Sequence, residues 1–149
     1  MPNVPGLRSP YDKVGRLVYF GRMLDKIRLH AAGRLPPEFA ANLGEATPRF
    51  FDARCCRFLG IRHTELTART MQGGTGEEIL AWTHAHGTPR NDEECQIWNA
   101  FMAKLGWRDE ASERVKQRAA EYGLVECGAE TMFDLIEADE GRPLGRLCV

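Results

Sequence analysis

The sequence predicts an all-α protein, a single compact domain of about six to seven short helices. Three observations support this class. Apolar residues recur at three- and four-residue spacing, most clearly over residues 19–33 and 92–106. Short turns that contain glycine separate the candidate helices. No segment alternates apolar and polar residues in the way that a half-buried strand does.

The composition is that of a soluble globular domain, with 43% hydrophobic and 28% charged residues among 149. A domain of this length buries roughly 70% of the surface that its unfolded chain exposes, which is enough for one core. We expect the domain to span residues 9–142, with flexible tails at 1–8 and 143–149. No apolar run approaches the ~18 residues that cross a membrane, and the N-terminus has no secretory signal. We therefore expect a cytoplasmic protein that does not enter a membrane.

Charge is distributed unevenly along the chain, although the net charge is only −1. Residues 1–74 hold 12 Lys and Arg against 6 Asp and Glu, a net +6, whereas residues 75–149 hold 8 against 15, a net −7. We favour the interpretation that the two halves face and neutralise each other. The alternative is an anion-binding surface on the first half. A dedicated nucleic-acid-binding protein would be more basic overall, so a nucleic-acid partner is not expected.

The chain begins with one long helical pattern. Ser9 and Pro10 are typical of a helix start, because serine caps and proline suits the first turn. The pattern continues until Gly33 stops it. Its apolar face changes direction near Gly21, which predicts either a kink or two short helices.

The segment 33–50 is the longest stretch without periodicity. Long loops in compact domains are often functional, so this one could cover a site. After it, Asp52 can cap a short helix that ends at Gly60, and a buried strand is the rival interpretation of that segment.

The second half is predicted to consist of five further helices. Thr75 and Asn91 each precede a glutamate by three residues, the pattern of a helix capping box. The predicted helices run over 64–72, from Thr75 to His86, from Asn91 to Gly106, from Asp109 to Gly123, and from Glu130 to Glu140.

No metal site and no cofactor are predicted. The chain has no HExxH, no Glu-x-x-His, no calcium-binding loop and no CxxC. His84 and His86 are two residues apart, which places them roughly 200° apart around a helix. The glycines around Thr75 lack the Lys-Ser/Thr of a phosphate-binding loop, so helix capping explains that segment better.

Covalent catalysis has little support in the sequence. There is no G-x-S-x-G motif, and serine occurs only twice. The five cysteines are best explained as small buried side chains in a reducing compartment. A reactive Cys55 or Cys56 is left open, because either thiol could meet a histidine in three dimensions: His30, His84 or His86.

The helix over residues 19–33 carries the candidate binding surface. Arg22 and Arg28 lie on it, and planar guanidinium groups suit carboxylate or phosphate. The alternative is that either arginine simply pairs with Asp25 at three-residue spacing. His30 is the candidate catalytic acid or base, because an ordinary histidine titrates near neutral pH.

Residues from other segments complete the predicted pocket. Arg54, Trp107 and Arg108 are expected to contact the ligand together with the arginines of the first helix. Asp139 falls on the apolar face of the last helix, where a carboxylate needs a partner or water. We favour a structural salt bridge to an arginine of the basic half, such as Arg28 or Arg54, and the alternative is a carboxylate that faces a pocket.

Several longer strings resemble a known family. They are Tyr19-Phe20 followed by RMLDKIRLHAAG, Leu35-Pro36, Cys55 with Arg57-Phe58-Leu59-Gly60, Ile97-Trp98-Asn99, Gly106-Trp107-Arg108-Asp109-Glu110, and Asp139-Glu140-Gly141-Arg142. They are similar to the bacterial family called domain of unknown function 5069, from Ser9 to Arg142. The resemblance implies a small bacterial single-domain protein, and it assigns no activity, cofactor or catalytic residue. We expect variable loops around Gly44–Phe51 and at 123–130.

Two functions are compatible with these residues. In the first, the chain binds a small anionic metabolite that bears phosphate or carboxylate, and whether it is an enzyme is left open. In the second, it is a non-catalytic protein–protein interaction module that forms a homodimer through exposed tryptophans and its charge asymmetry. Contact between the basic half and nucleic acid is a third and less favoured function.

Overall fold

The fold is predominantly helical, as the sequence predicts. A computed structural model describes residues 3–144, and this part of the chain contains a short β-hairpin, eight α-helices and one 3-10 turn (Val125–Cys127). In chain order the other elements are β1 (Lys13–Val14), β2 (Leu17–Val18), α1 (Phe20–Ala31), α2 (Pro37–Ala40), α3 (Phe51–Leu59), α4 (His63–Met71), α5 (Gly76–His86), α6 (Asp92–Lys104), α7 (Ser112–Glu121) and α8 (Met132–Asp139). No helix in this range has both the length and the apolar character that a membrane crossing requires.

The predicted helix start at Ser9 is wrong, because the following residues form a hairpin. Strands β1 and β2 pair antiparallel, with Val14 opposite Leu17. Gly15 begins the two-residue turn between them and has φ of 56°, a conformation that glycine adopts without strain. The side chain of Ser9 accepts a hydrogen bond from the Tyr11 N–H inside a turn, instead of capping a helix.

Helix α6 holds this hairpin in place. The Asn99 side chain accepts from the Val18 N–H at 3.0 Å and donates to the Arg16 carbonyl at 2.7 Å. The Trp98 indole N–H donates to the Val18 carbonyl at 3.2 Å. These bonds satisfy backbone groups that would otherwise be buried without partners, so contacts from α6 stabilise the extended form.

Helix α1 is buried on nearly every side. The predicted apolar stripe lies in the core, at no more than 2% exposed for Phe20, Met23, Leu24 and Ile27. Two cations of the other faces are buried as well: Arg22 is 4% exposed and Lys26 is 3% exposed, whereas Arg28 is half-buried. Burial of such residues requires partner charges, and those partners come from distant segments.

The N-terminal segment is packed against the domain. Val4 and Leu7 are 6% and 4% exposed, and they form a small apolar cluster with Leu29 and Phe39. Val4 and Leu7, which belong to the predicted tail over residues 1–8, are therefore part of the packed domain, and the flexibility of this tail stays a prediction. Residues 1–2 and 145–149, which belong to the predicted tails, lie outside the described residues.

The helix boundaries of the second half follow the predicted signals closely. Thr75 caps α5, and Asn91 forms a full capping box with Glu94 at the start of α6. The predicted start of α7 at Asp109 is corrected to Ser112, because the Asp109 carboxylate accepts from backbone N–H groups in the turn that precedes the helix.

Two other segments differ in detail from the prediction. The stretch before Gly60 is the helix α3 and not a strand, and Gly60 ends it in the left-handed conformation. Asp52 does not cap this helix: it lies within the first turn and is fully buried. The predicted loop 33–50 contains α2, a single helical turn.

Candidate ligand-binding site

A cavity of about 470 Å³ lies beside α1. Its lining comes from α1, from the segment between Glu38 and Phe51, from α7 and from α8. This volume lies within the range of roughly 300–1,000 Å³ that small-molecule sites occupy. The lining has two parts that differ in exposure, and we call them the buried wall (Tyr19, Arg22, Lys26 and Glu140) and the arginine rim (Arg49, Arg114 and Arg118).

The buried wall contains a lysine held by an aspartate. Lys26 Nζ donates to the two carboxylate oxygens of Asp52 at 3.1 and 3.2 Å. The Tyr19 hydroxyl donates to Asp52 at 2.6 Å, and the Gly44 N–H donates to it at 2.7 Å. Lys26 Nζ also donates to Asn42 Oδ1 at 3.1 Å. The side chain of Asp52 is 0% exposed, so these donors compensate its charge almost entirely without water.

A second ion pair on the buried wall joins helix α1 to the residue that follows α8. Arg22 binds Glu140 in the two-pronged geometry of guanidinium and carboxylate, with N···O distances of 2.9 and 2.5 Å. Arg142 donates to the same carboxylate at 2.7 Å. The charge of Arg22 is thus already neutralised inside the protein.

His63 lies behind this wall, next to Asp52. Its Nε2 is 3.7 Å from Asp52 Oδ2 and has no hydrogen-bond partner in the described part of the chain, although the atom is buried. Burial lowers the pKa of His63, the Asp52 carboxylate opposes that effect, and the positive charge of Lys26 adds to it. His63 is therefore neutral at pH 7.

Burial also changes the acidity of the two groups that contact Asp52. It raises the pKa of the Tyr19 phenol well above its usual range, and the negative charge of Asp52 raises it further. Burial lowers the pKa of Lys26, and the attraction of Asp52 offsets this only in part. Tyr19 is consequently a protonated hydrogen-bond donor at neutral pH.

The backbone of Tyr19 is in a conformation that aromatic residues rarely adopt. Its φ is 71°, and it stands at the residue before α1 begins. Contacts on both sides fix it: the Tyr19 N–H donates to the Pro10 carbonyl, and the Tyr19 carbonyl accepts from Met23. Backbone strain of this kind persists only where surrounding structure determines it, and it is concentrated at functional sites.

The arginine rim is the exposed part of the lining. Arg49 and Arg114 are exposed and Arg118 is partly exposed. Within residues 3–144, none of the three forms a salt bridge. Arg54 lies beside them: partial burial lowers its pKa, and the positive charges of Arg57, Arg49 and Arg114 lower it further. The rim thus concentrates positive charge that no salt bridge among residues 3–144 neutralises.

The residues predicted from the first helix lie in different places. Arg22 lines the cavity, where Glu140 neutralises it. Arg28 does not line the cavity: it pairs with Asp25 at 3.7 Å, which is the alternative that the spacing allowed. His30 is exposed and also lies outside the cavity.

The predicted residues from other segments are likewise separated. Arg54 is next to the arginine rim without lining the cavity. Trp107 and Arg108 are exposed and pack on each other, with the guanidinium carbon 4.7 Å from the ring centre, and neither lines the cavity. Asp139 does line it, which agrees with the pocket-facing alternative.

In the described part of the chain, no hydrogen bond joins the thiol of Cys55 or Cys56 to a histidine. Burial raises the pKa of Cys56 to about 12 and that of Cys55 well above its usual range, so both are protonated thiols at neutral pH. In the described residues, no group of three or more His, Cys, Asp and Glu side chains is placed to hold a metal. His86 stacks on Trp82 at 4.5 Å between ring centres.

Sequence reasoning missed most of the cavity lining. One signal was available: Arg114 and Arg118 are four residues apart, so they share one face of α7. The role of Asp52 and the proximity of His63 depend on contacts between α1, α3 and α4 and leave no local pattern.

The comparison with protein families decides the identity of the chain. A family model described as a domain of unknown function (DUF5069) matches residues 4–142. The chain belongs to this family. The matched range includes the buried wall, Asp52, His63 and the arginine rim of this DUF5069 domain. No curated protein matches the chain significantly.

Proposed function

We propose that this DUF5069 domain binds a small organic anion in the cavity, with the anionic group at the arginine rim. The observation that carries the proposal is the division of charge between the two parts of the lining. The cations of the buried wall have carboxylate partners inside the protein, whereas the three rim arginines form no salt bridge in the described chain. Guanidinium groups bind carboxylate and phosphate through paired hydrogen bonds.

The buried wall is a poor place for the anionic group of a ligand. An anion on Lys26 would displace Asp52 and leave that buried carboxylate without its main partner. Breaking a buried ion pair in this way costs about 3–5 kcal/mol. An anion at the rim breaks no salt bridge among the described residues, so the rim is the favoured end of the cavity.

The carboxylates of Glu38 and Asp139 also line the cavity, but most of the remaining lining is apolar and favours a ligand with an apolar body. Its aromatic and aliphatic side chains are Phe39, Phe50, Phe51, Tyr122, Met132, Leu135 and Ile136. Burying a methylene group against such side chains contributes about 0.8 kcal/mol. An aromatic or aliphatic acid satisfies both the rim and this apolar surface, whereas inorganic phosphate satisfies only the rim.

We also propose that the protein acts in the bacterial cytoplasm. Cys55, Cys56, Cys95 and Cys127 are free thiols, and the first three are buried. Unpaired cysteines are typical of a reducing compartment. Fractionation of bacterial cells that produce the chain tests this, and recovery from the periplasm would contradict it.

A second candidate function is a homodimeric interaction module. It is favoured by exposed apolar side chains on one face of α6, where Ile97 is 62% and Phe101 is 46% exposed. Sedimentation at micromolar concentration separates the two functions. The dimer loses its support if the unmodified protein sediments as a monomer and Ile97→Glu does not change its sedimentation.

Thermal unfolding with matched ligands tests the anion site. Phenyllactate has a carboxylate and a ring, and phenyllactamide is its uncharged analogue. A ligand at 100 times its dissociation constant stabilises the folded state by about 2.7 kcal/mol, which moves the midpoint by several degrees. We expect phenyllactate to raise the midpoint and phenyllactamide not to.

Variants of the rim make the same test specific to the site. Arg114→Gln and Arg118→Gln each remove one unpaired guanidinium, and we expect each to weaken phenyllactate binding about tenfold or more. Arg34→Gln is the matched control, because Arg34 is exposed and does not line the cavity. Equal affinity of all three variants would disprove binding at the rim.

A further inference from the structure

Lys26 differs from the other lysines of the chain. The sequence contains four lysines, and Lys13, Lys104 and Lys116 are exposed. Lys26 is 3% exposed and lines the cavity. It is thus a buried amine on the wall of a chamber large enough for an organic ligand.

The Nζ atom of Lys26 has a base and an acid within reach. The Asp52 carboxylate accepts its hydrogen bonds at 3.1 and 3.2 Å, and the Tyr19 hydroxyl is 3.4 Å away. Asn42 Oδ1 holds the same nitrogen at 3.1 Å. Condensation of an amine with a carbonyl group needs a base to free the amine and an acid to protonate the oxygen. Asp52 is placed to act as the base, and the Tyr19 hydroxyl, which donates to Asp52 at 2.6 Å, can act as the acid once it turns to the carbonyl oxygen.

We propose that Lys26 forms an imine with the carbonyl carbon of an anionic aldehyde or ketone bound in the cavity. The proposal rests on the proposed anion-binding function and names the substrate class of that site, an acid that carries both a carbonyl group and an apolar body. The lowered pKa of Lys26 supports it, because a larger fraction of the amine is neutral and nucleophilic. The raised pKa of Tyr19 keeps the acid protonated.

The step conserves atoms and charge. Asp52 takes one proton from the Lys26 ammonium, and the neutral amine then attacks the carbonyl carbon. Tyr19 gives its proton to the carbonyl oxygen and recovers one from the attacking nitrogen. The resulting hydroxyl leaves as water with the proton held by Asp52, and the nitrogen lone pair forms the C=N bond. The product is a protonated imine, which keeps a positive charge beside Asp52, and no oxidant or reductant is consumed.

Reductive trapping on the unmodified protein tests the proposal. The protein is incubated with phenylpyruvate, reduced with borohydride and digested, and the peptides are mapped by mass spectrometry. We expect Lys26 to gain the mass of the probe less one oxygen atom. The three exposed lysines should be labelled no more in the folded protein than in the unfolded protein. Phenylacetone has the ketone without the carboxylate, so it should label Lys26 much less.

The outcomes separate this proposal from the proposed function. If phenyllactate raises the midpoint of unfolding but phenylpyruvate leaves Lys26 unlabelled, the imine is disproved and anion binding stands. If neither probe binds or labels, both proposals fail. Equal labelling of all four lysines also overturns the imine.

The variant Lys26→Arg tests whether the adduct depends on the amine of Lys26. Arginine keeps a cation beside Asp52 but cannot form the imine. We expect this variant to lose the adduct with phenylpyruvate. Should the variant not fold, the peptide map of the unmodified protein still decides.

Discussion

The buried wall and the arginine rim use the same kind of side chain in opposite ways. On the wall, Arg22 and Lys26 are more than nine-tenths buried, and each meets a buried carboxylate. On the rim, Arg114 and Arg118 reach solvent and form no salt bridge with any residue in 3–144. A buried cation is stable only with its partner, whereas an unpaired surface cation can exchange water for a ligand.

This difference shows that the role of a charged side chain depends more on whether it has a partner inside the protein than on which kind of side chain it is. Helix α1 is dense in charged residues, which by itself suggests a binding surface. The structure uses Arg22 and Lys26 to bury this helix among other segments. Removing a wall residue should therefore damage stability first, and removing a rim residue should damage binding first.

The largest loss of stability is expected for Asp52→Ala. It leaves Lys26 charged, buried and unpaired, and it removes the acceptor of Tyr19 and Gly44. We expect a loss of about 3–5 kcal/mol in the free energy of unfolding, measured with urea. Asp92→Ala is the control: its pair with Arg16 is exposed, so the expected loss is below about 1 kcal/mol. Equal losses in both variants would refute the structural role of the wall.

Arg22→Ala should have the next largest effect. It removes the main partner of Glu140, but Arg142 keeps its bond at 2.7 Å to the same carboxylate. We therefore expect a loss of about 3 kcal/mol, at the lower end of the range for a broken buried pair. An unchanged urea midpoint would mean that Arg142 alone satisfies Glu140.

Protonation of His63 should contribute to the pH dependence of the free energy of unfolding. Burial lowers its pKa in the folded state, with Asp52, Lys26 and Glu45 as the charged neighbours. The unfolded state therefore binds more protons below about pH 6.5, and stability falls as the pH decreases through that window. The slope from one such proton is at most about 1.4 kcal/mol per pH unit.

The variant His63→Gln should flatten that slope in urea titrations at several pH values. His30→Gln is the control, because the His30 side chain is already exposed in the folded protein. A slope that stays unchanged in His63→Gln would assign the pH dependence to other groups.

The smallest effect on stability is expected for Arg114→Gln. This side chain forms no salt bridge within the described residues and lies among other arginines. We expect the free energy of unfolding to change by less than about 0.5 kcal/mol. A loss comparable with that of Arg22→Ala would show that the rim also holds the fold together.

The elements that sequence reasoning predicted best are those with local signals. The caps at Thr75 and Asn91 and the stop at Gly60 depend on residues within one turn of the helix end. Two ion pairs, Arg16–Asp92 and Arg22–Glu140, join the basic half to the acidic half. The other ion pairs among the described residues, such as Arg8–Asp25 and Lys26–Asp52, lie within one half, so mutual neutralisation of the halves stays a prediction.

The hairpin was missed because its stability comes from elsewhere. Val14, Leu17 and Val18 fit a helical face as well as two short strands, and Asn99, more than eighty residues away, satisfies the extended backbone. The pair Gly15-Arg16 between Val14 and Leu17 was the one local sign of a two-residue turn.

The candidate site was predicted in part for a similar reason. The sequence identified α1 as the organising helix, but it could not show which of its charges have partners. Glu140 and Asp52 are 118 and 26 residues from the cations that they neutralise. The arginine rim combines α7 with the loop before α3, a proximity that no spacing rule predicts.

The most direct test of the division between wall and rim is a crystal structure with phenyllactate bound. We predict that the carboxylate lies within hydrogen-bond distance of Arg114 or Arg118 and that the ring lies against the apolar lining. The Lys26–Asp52 pair should remain intact in the complex. The division between the buried wall and the arginine rim would be contradicted if the carboxylate of phenyllactate replaced Asp52 as the partner of Lys26. It would also be contradicted if the ligand bound outside this cavity.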